Sequence, residues 1–177
     1  MLRKLLRSFK CQQPATLAAG AEAPPIELPD AQGRKVVVAQ LLQKGPVLAA
    51  FYKVSCPVCQ FTLPFVERIH KAYGNDKVAI LGISQDNARD TREFNAEYGL
   101  TFPSLIDAED YSVSNAYGLT NVPTLFLIQP DGTIAASFMG FDKKGLEGVS
   151  ASFADHLSKP VAAVFRPDEN VPDHKPG

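Results

Sequence analysis

An apolar run, Val47 to Tyr52, stands shortly before a Cys-Pro-Val-Cys motif at residues 56–59, and this order constrains the fold more than any other feature. An unbroken apolar run is typical of a strand that is buried on both faces. Apolar residues then recur at helical spacing from Pro57 to Tyr73, and proline suits the first position of a helix, where no backbone donor is needed. The sequence therefore predicts that both cysteines lie where a buried strand gives way to a helix.

The placement of Cys56 and Cys59 favours thiol chemistry. Only a thiolate attacks a disulfide, and the unpaired amides and the dipole at a helix N-terminus stabilise an anion. Cys56, at the start of the helix, is the candidate nucleophile. Cys59 lies one turn further on and could resolve the mixed disulfide that Cys56 forms with a substrate. Lys53, three residues before Cys56, could favour the thiolate through its charge or could simply point to solvent.

The remaining residues alternate between predicted strands and helices. Strand–helix–strand units place helices on both faces of a sheet. The predicted fold class is therefore α/β, with three layers, a central mixed β-sheet flanked by helices, an N-terminal β-hairpin and a segment inserted between the central strand and the loop at Pro123. The predicted strands are 26–28, 36–38, 47–52, 78–84, 124–128 and 133–138, the predicted helices are 57–73, 87–98, 111–117 and 143–157, and 102–106 is an irregular extended piece.

Length and composition predict one domain. The chain has 177 residues, is 45% hydrophobic and 21% charged, and carries a formal net charge of −1, which gives no reason to expect a nucleic-acid partner. We place the domain at 22–158, between a basic segment with its linker at 1–21 and a proline-rich polar tail at 159–177. That tail is expected to be extended or mobile.

The basic segment at 1–10 has no apolar stretch behind it that would make a secretory signal, and no run in the chain is long enough for a transmembrane helix. The sequence therefore predicts a cytoplasmic protein. The segment is expected to fray, although its leucines could also form a helical face that contacts a membrane surface or a partner. Cys11 is expected to be an idle thiol, with pairing between chains as the alternative.

Several motifs together resemble the thioredoxin superfamily over about residues 22–158. They are the strand that leads into the Cys-Pro-Val-Cys motif, the helix proline Pro64, the Asn-Val-Pro-Thr-Leu-Phe segment at 121–126, and the inserted segment from Leu81 to Pro103. The insert is similar to the branch that contains TlpA/ResA-like thiol–disulfide oxidoreductases and AhpC/TSA-type peroxiredoxins, rather than to minimal thioredoxin.

This resemblance implies a cis bond before Pro123, which would pack against the cysteines. It also implies that Pro57, Val58, Val122 and Pro123 form the substrate site, with the backbone of Val122 paired to an extended protein segment. The implied activity is reversible disulfide exchange with a protein disulfide or dithiol and a redox partner. It requires no metal or other cofactor.

The sequence also departs from the thioredoxin pattern. Thioredoxins carry a buried aspartate six residues before the first cysteine, where it assists proton transfer to the second; this chain has Ala50 there. Ser55 replaces the aromatic residue that usually precedes the first cysteine. Proton transfer to and from Cys59 is therefore expected to use another route, such as water.

Two alternatives remain open at this point. A peroxiredoxin-like peroxidase needs a proline in the strand, a threonine or serine three residues before the reactive cysteine, and a distant arginine. Here Lys53 holds the second position, and the available arginines, Arg89 and Arg92, lie on a polar helix face. A non-catalytic binding module is the other alternative, since a fold alone does not guarantee activity.

No metal site is predicted. Zinc usually takes four ligands, and the chain has no second Cys-x-x-Cys motif. The histidines are scattered along the sequence, at His70, His156 and His174.

Overall fold

The structure is a computed structural model that describes residues 15–74 and 77–177. Apolar segments form its central strands. In chain order the described strands are β1 (Glu27–Pro29), β2 (Lys35–Val37), β3 (Val47–Tyr52), β4 (Ala79–Ser84), β5 (Ser104–Ile106), β6 (Thr124–Ile128), β7 (Ile134–Met139), β8 (Phe141–Asp142) and β9 (His174–Lys175). The described helices are α1 (Val38–Leu42), α2 (Pro57–Tyr73), α3 (Ala88–Glu97), α4 (Ser112–Ala116) and α5 (Lys143–Leu157).

Strand β3 lies in the middle of a sheet whose order, among the described residues, is β5-β4-β3-β6-β7. It runs parallel to β4 and antiparallel to β6; β4 and β5 are parallel, and β6 and β7 are antiparallel. Parallel neighbours need crossover connections, which α2 provides between β3 and β4 and α3 provides between β4 and β5. The predicted mixed α/β sheet is confirmed, and both cysteines follow the carboxyl end of its central strand.

The side chains of β3 divide between two cores. Leu48 and Tyr52 pack in the core beneath α2 and α5, whereas Val47 and Phe51 pack in the core beneath the β1–β2 hairpin, α1 and α4. Successive residues of a strand point to opposite faces, so one apolar run supplies both cores. All six residues of β3 are buried. Because a core covers each face of the sheet, the fold has three layers.

The segment between α3 and β6 is more regular than the sequence predicts. Residues 104–106, expected to be irregular, form β5 and extend the sheet beyond β4 through the pairs Gly82–Ser104, Ile83–Leu105 and Ser84–Ile106. Three residues carry too little periodic pattern to predict a strand. They form a strand because they pair with β4, which lies on the other side of α3 in the sequence.

The segments on either side of the predicted domain also pack against it. The Gly20 amide donates to the Ile134 carbonyl at 2.8 Å and the Leu17 carbonyl accepts the Ser137 hydroxyl at 2.8 Å, so part of the predicted linker lies beside the β6–β7 hairpin. The tail 159–177 contains no helix, but Val164 is buried in the core beneath α2 and α5. Proline and charge predict little regular structure there, and they do not exclude docking onto an apolar surface.

Residues 1–14 lie outside the described residues, so the interpretations of the basic segment and of Cys11 stay predictions. Among the described helices, none combines the length and the apolar character needed to cross a membrane.

Candidate active site

Cys56 is the N-cap residue of α2. Its backbone is extended, with φ −86° and ψ 116°. Its amide donates to the Lys53 carbonyl at 3.1 Å, and its Sγ accepts the amide N–H of Cys59 at 3.3 Å. The first amides of a helix lack partners within the helix, and one of them is directed here at a sulfur atom. Negative charge that develops on this sulfur is therefore met by a fixed donor.

Cys59 lies one turn further along α2 and is completely buried, whereas Cys56 is half-buried. Burial raises the pKa of the Cys59 thiol far above its usual range. Contact with Cys56 and the negative charge of Asp86 raise this pKa further, and a backbone hydrogen bond from Lys53 only partly opposes the effect of burial. Cys59 therefore remains a thiol at neutral pH until a base removes its proton.

Asp86 holds the loop that leads to Cys56. Its Oδ2 accepts the backbone N–H of Val54 at 2.8 Å, and the Val54 carbonyl accepts Nε2 of Gln60 at 3.0 Å. Sequence reasoning did not identify Asp86. A signal was present, because Gln85-Asp86 directly follows a buried strand that is parallel to β3, so the two strand ends lie side by side.

The loop before β6 closes the site on the other side. The Val122–Pro123 peptide bond is cis, as the family resemblance implied. The Val122 carbonyl accepts a hydrogen bond from Cys56 Sγ at 3.4 Å, and the Pro123 carbonyl accepts the Gly140 amide at 2.7 Å. The structure thus brings the cis-proline loop and the nucleophile candidate together, although residues 56 and 122 are far apart in sequence.

The other predicted site residues lie around Cys56. Pro57 is exposed and Val58 is half-buried, and their contact with a substrate stays a prediction. Lys53 is half-buried, and its contacts with the cysteines are made by its backbone. An effect of the Lys53 charge on Cys56 stays a prediction.

The residues considered for the alternatives are engaged elsewhere. Arg89 Nε donates to Oε1 of Glu93 at 3.0 Å, and Arg92 Nη1 donates to the Ala31 carbonyl at 2.6 Å. Neither arginine contacts Cys56 in these hydrogen bonds. Over residues 15–74 and 77–177, no group of three or more His, Cys, Asp or Glu side chains is arranged to hold a metal ion.

A dithiol at the start of a helix, a buried central strand and a cis-proline loop against the first sulfur define a thioredoxin-fold thiol–disulfide oxidoreductase. Comparison with known proteins agrees with this class. The chain belongs to the AhpC/TSA family, whose model matches residues 19–137.

Sequence relatives carry the same activity in their names. The chain is 32% identical over 125 residues to the thiol-disulfide oxidoreductase ResA of Geobacillus thermodenitrificans, covering 70% of this chain and 71% of that protein. It is 28% identical over 126 residues to ResA of Bacillus subtilis, covering 71% of this chain and 69% of the relative.

Solved structures show the same fold. The thioredoxin domain of a thiol-disulfide oxidoreductase from Bacteroides vulgatus superposes with a TM-score of 0.68 at 24% identity, covering 77% of this chain and 98% of that domain. A thiol:disulfide interchange protein DsbE from Chlorobium tepidum superposes with a TM-score of 0.69 at 22% identity, covering 80% of this chain and 99% of the other.

Proposed function

We propose that Cys56 attacks the disulfide of a protein substrate and that Cys59 resolves the mixed disulfide. The contrast in exposure between the two sulfurs is the observation that carries this assignment. Cys56 is half-buried, and its sulfur accepts a hydrogen bond from the Cys59 amide of α2. Cys59 itself is completely buried. An incoming protein can reach only the first of them.

The exchange proceeds in two steps. The Cys56 thiolate attacks one substrate sulfur, a bond forms between them, and the other substrate sulfur leaves and takes up a proton. Cys59 then loses its proton to a base and attacks Cys56 Sγ. The second substrate sulfur leaves as a thiol, and the Cys56–Cys59 disulfide remains. Two electrons pass from the protein dithiol to the substrate, and a dithiol partner reverses both steps to restore the enzyme.

The substrate is held, in this proposal, as an extended segment along Val122. The Val122 carbonyl already accepts a hydrogen bond from Cys56, so a backbone placed beside it would bring a substrate sulfur close to the nucleophile. Pro57 and Val58 would face the segment from the other side. We also propose that the protein is cytoplasmic. The exchange reaction does not require contact between residues 1–10 and a membrane.

Reaction of the reduced protein with insulin, whose disulfides are reducible, tests this function. We expect two insulin thiols to appear for each intramolecular Cys56–Cys59 disulfide, as measured by mass spectrometry after acid quenching. Hydrogen peroxide serves as the competing substrate. Faster oxidation of the protein by peroxide than by insulin would overturn disulfide exchange in favour of the peroxidase, and no oxidation by either would leave a binding module.

For the placement of substrate, the Cys59→Ser variant should trap a mixed disulfide with a cysteine-containing peptide. In that complex the amide of Val122 is expected to exchange its hydrogen more slowly than in the free protein. The Gly132 amide, in a distant turn, serves as the control. Unchanged exchange at Val122 would show that the peptide does not pair there.

A further inference from the structure

Residues 159–177, here called the strap, run from the end of α5 across the molecule to the candidate active site. The strap begins on α2 and α5: the Ala162 amide donates to the Tyr73 hydroxyl, and the Ala162 carbonyl accepts the Ser150 hydroxyl at 2.8 Å. These contacts come from side chains that are themselves buried. The strap is therefore anchored to α2 and α5 at Ala162, close to its beginning.

The middle of the strap is held by an aromatic cluster and an ion pair. Phe165 lies 5.0 Å from Phe65 between ring centroids, and Val164 is 5% exposed. Arg68 makes a two-point contact with Glu169, with Nη2 to Oε1 at 2.6 Å and Nη1 to Oε2 at 2.7 Å. Paired hydrogen bonds of this kind restrict both side chains more than a single contact would.

The last part of the strap pairs with β8, which follows the β6–β7 hairpin. His174 and Lys175 form β9 against Phe141 and Asp142 of β8. The Lys175 ammonium lies 4.3 Å from the centroid of the Phe61 ring on α2. This strand pairing carries the chain toward the helix that starts at Cys56.

The end of the strap reaches Val122 itself. A Cβ placed on Gly177 would lie 2.8 Å from the Val122 carbonyl oxygen and 2.9 Å from Nδ2 of Asn121. The same Val122 carbonyl accepts the hydrogen bond from Cys56. Gly140 permits this approach, because a Cβ there would lie only 2.1 Å from the Lys175 carbonyl oxygen.

We propose that residues 174–177 of the strap determine substrate specificity by occupying the place beside Val122 where a protein substrate has to lie. This inference rests on the proposed function. A protein disulfide must displace the end of the strap before its backbone can pair with Val122, whereas a small disulfide needs only the sulfur of Cys56. The strap therefore selects against disulfides that are flanked by bulky polypeptide chain. It does not alter the reactivity of the Cys56 thiol.

The strap lies outside residues 19–137, which the family model describes. A specificity element in this position would set the protein apart from relatives that share its dithiol and its cis-proline loop.

Single-turnover oxidation of the reduced protein tests the proposal, with insulin as the protein disulfide and dithionitrobenzoate as the small one. One variant lacks Pro176 and Gly177, which removes the contact at Val122 and leaves the β8–β9 pairs intact. The second variant, Glu169→Ala, removes the ion pair with Arg68 and so loosens the strap in a chain of full length. Lys159→Ala is the matched control, because Lys159 is an exposed strap residue remote from Val122 in sequence.

Both variants should react with insulin about threefold faster or more, since removing a competing segment raises the fraction of protein that is open to substrate. Their rates with dithionitrobenzoate should match those of the unaltered protein and of Lys159→Ala. Unchanged insulin rates would overturn the proposal, as would equal changes with both substrates, which would indicate an effect on the thiol itself. An unaltered protein that reacts with neither substrate would overturn the proposed function instead.

A second measurement avoids dependence on protein substrates. In a Cys11→Ser background, the ratio of Cys56 alkylation by a bulky maleimide to alkylation by iodoacetamide should rise in both strap variants. The ratio should stay unchanged in Lys159→Ala. A ratio that is the same in all four proteins would show that the strap does not border the sulfur.

Discussion

The surroundings of Cys56 and Cys59 differ in almost every respect, although the residues are one helical turn apart. Around Cys56 lie exposed residues and two polar backbone groups, the Cys59 amide and the Val122 carbonyl, which contact its sulfur. Around Cys59 lies the core beneath α2, which raises the pKa of its thiol. This difference in position relative to the surface supports the proposed roles, with Cys56 as the nucleophile and Cys59 as the resolving thiol.

Asp86 does not take the place of the missing aspartate, although its charge acts on Cys59. Ala50 is completely buried and offers no proton acceptor, and Asp86 approaches from β4 instead of β3. Asp86 binds the loop at Val54 rather than occupying the core. Its carboxylate therefore acts on Cys59 mainly through its negative charge, while its hydrogen bond maintains the entry to the site.

The largest expected effect comes from exchanging each sulfur for oxygen. Cys56→Ser should lower the rate of insulin reduction to below about 1% of the original, because the nucleophile is lost. Cys59→Ser should keep the first step and accumulate a mixed disulfide on Cys56, as seen by non-reducing electrophoresis and mass spectrometry. Cys11→Ser is the control and should behave like the unaltered protein. Accumulation of the mixed disulfide on Cys59 in Cys56→Ser would reverse the two roles.

The next effect concerns pH. Because burial raises the pKa of Cys59, its thiolate fraction grows about tenfold for each pH unit below that pKa. The mixed disulfide on Cys56 should therefore be resolved faster as pH rises from about 7 to about 9. Rapid quenching at each pH measures its lifetime.

The Cys59→Ser variant supplies the baseline for that measurement, since its mixed disulfide should persist over the whole range. A lifetime that does not depend on pH would mean that deprotonation of Cys59 does not limit resolution. The raised pKa would then have no kinetic consequence.

A smaller effect is expected at Asp86. Asp86→Asn retains an oxygen for the Val54 amide and removes the negative charge that raises the pKa of Cys59. Resolution at neutral pH should become faster, by less than about tenfold, because burial remains the larger cause of the raised pKa. Asp90→Asn makes the same change of charge on α3, where the Asp90 carboxylate accepts a hydrogen bond from Asn87 instead of from the loop before Cys56, and should have no effect. Slower resolution in Asp86→Asn would show instead that this carboxylate accepts the proton of Cys59.

The smallest effect is expected for the charge of Lys53. Lys53→Ala should slow alkylation of Cys56 by no more than about threefold at low salt, and the difference should shrink at high salt, as charges near a surface are screened. Lys44→Ala, an exposed lysine at the opposite end of β3, is the control. Equal rates for Lys53→Ala and the control would limit Lys53 to its backbone contacts.

Local patterns determined much of this protein before any contact was known. An apolar run long enough for one strand, a proline at the first helical position and helical spacing behind it placed both cysteines correctly, and the bounds predicted for β3, α2 and α5 agree with the structure. Such features depend on neighbours within a few residues, so they can be predicted from the sequence. The resemblance to a family added the cis bond at Pro123, which composition and periodicity alone do not indicate.

Tertiary structure decided which residues meet at the sulfurs. Asp86 reaches Val54 only because β3 and β4 are parallel neighbours, and Gly177 reaches Val122 only because the strap pairs with β8. These contacts join residues that are far apart in the chain, and no local preference encodes them. They form because an isolated segment can neither pair all its backbone groups nor bury its apolar side chains. Packing of distant segments against one another provides both.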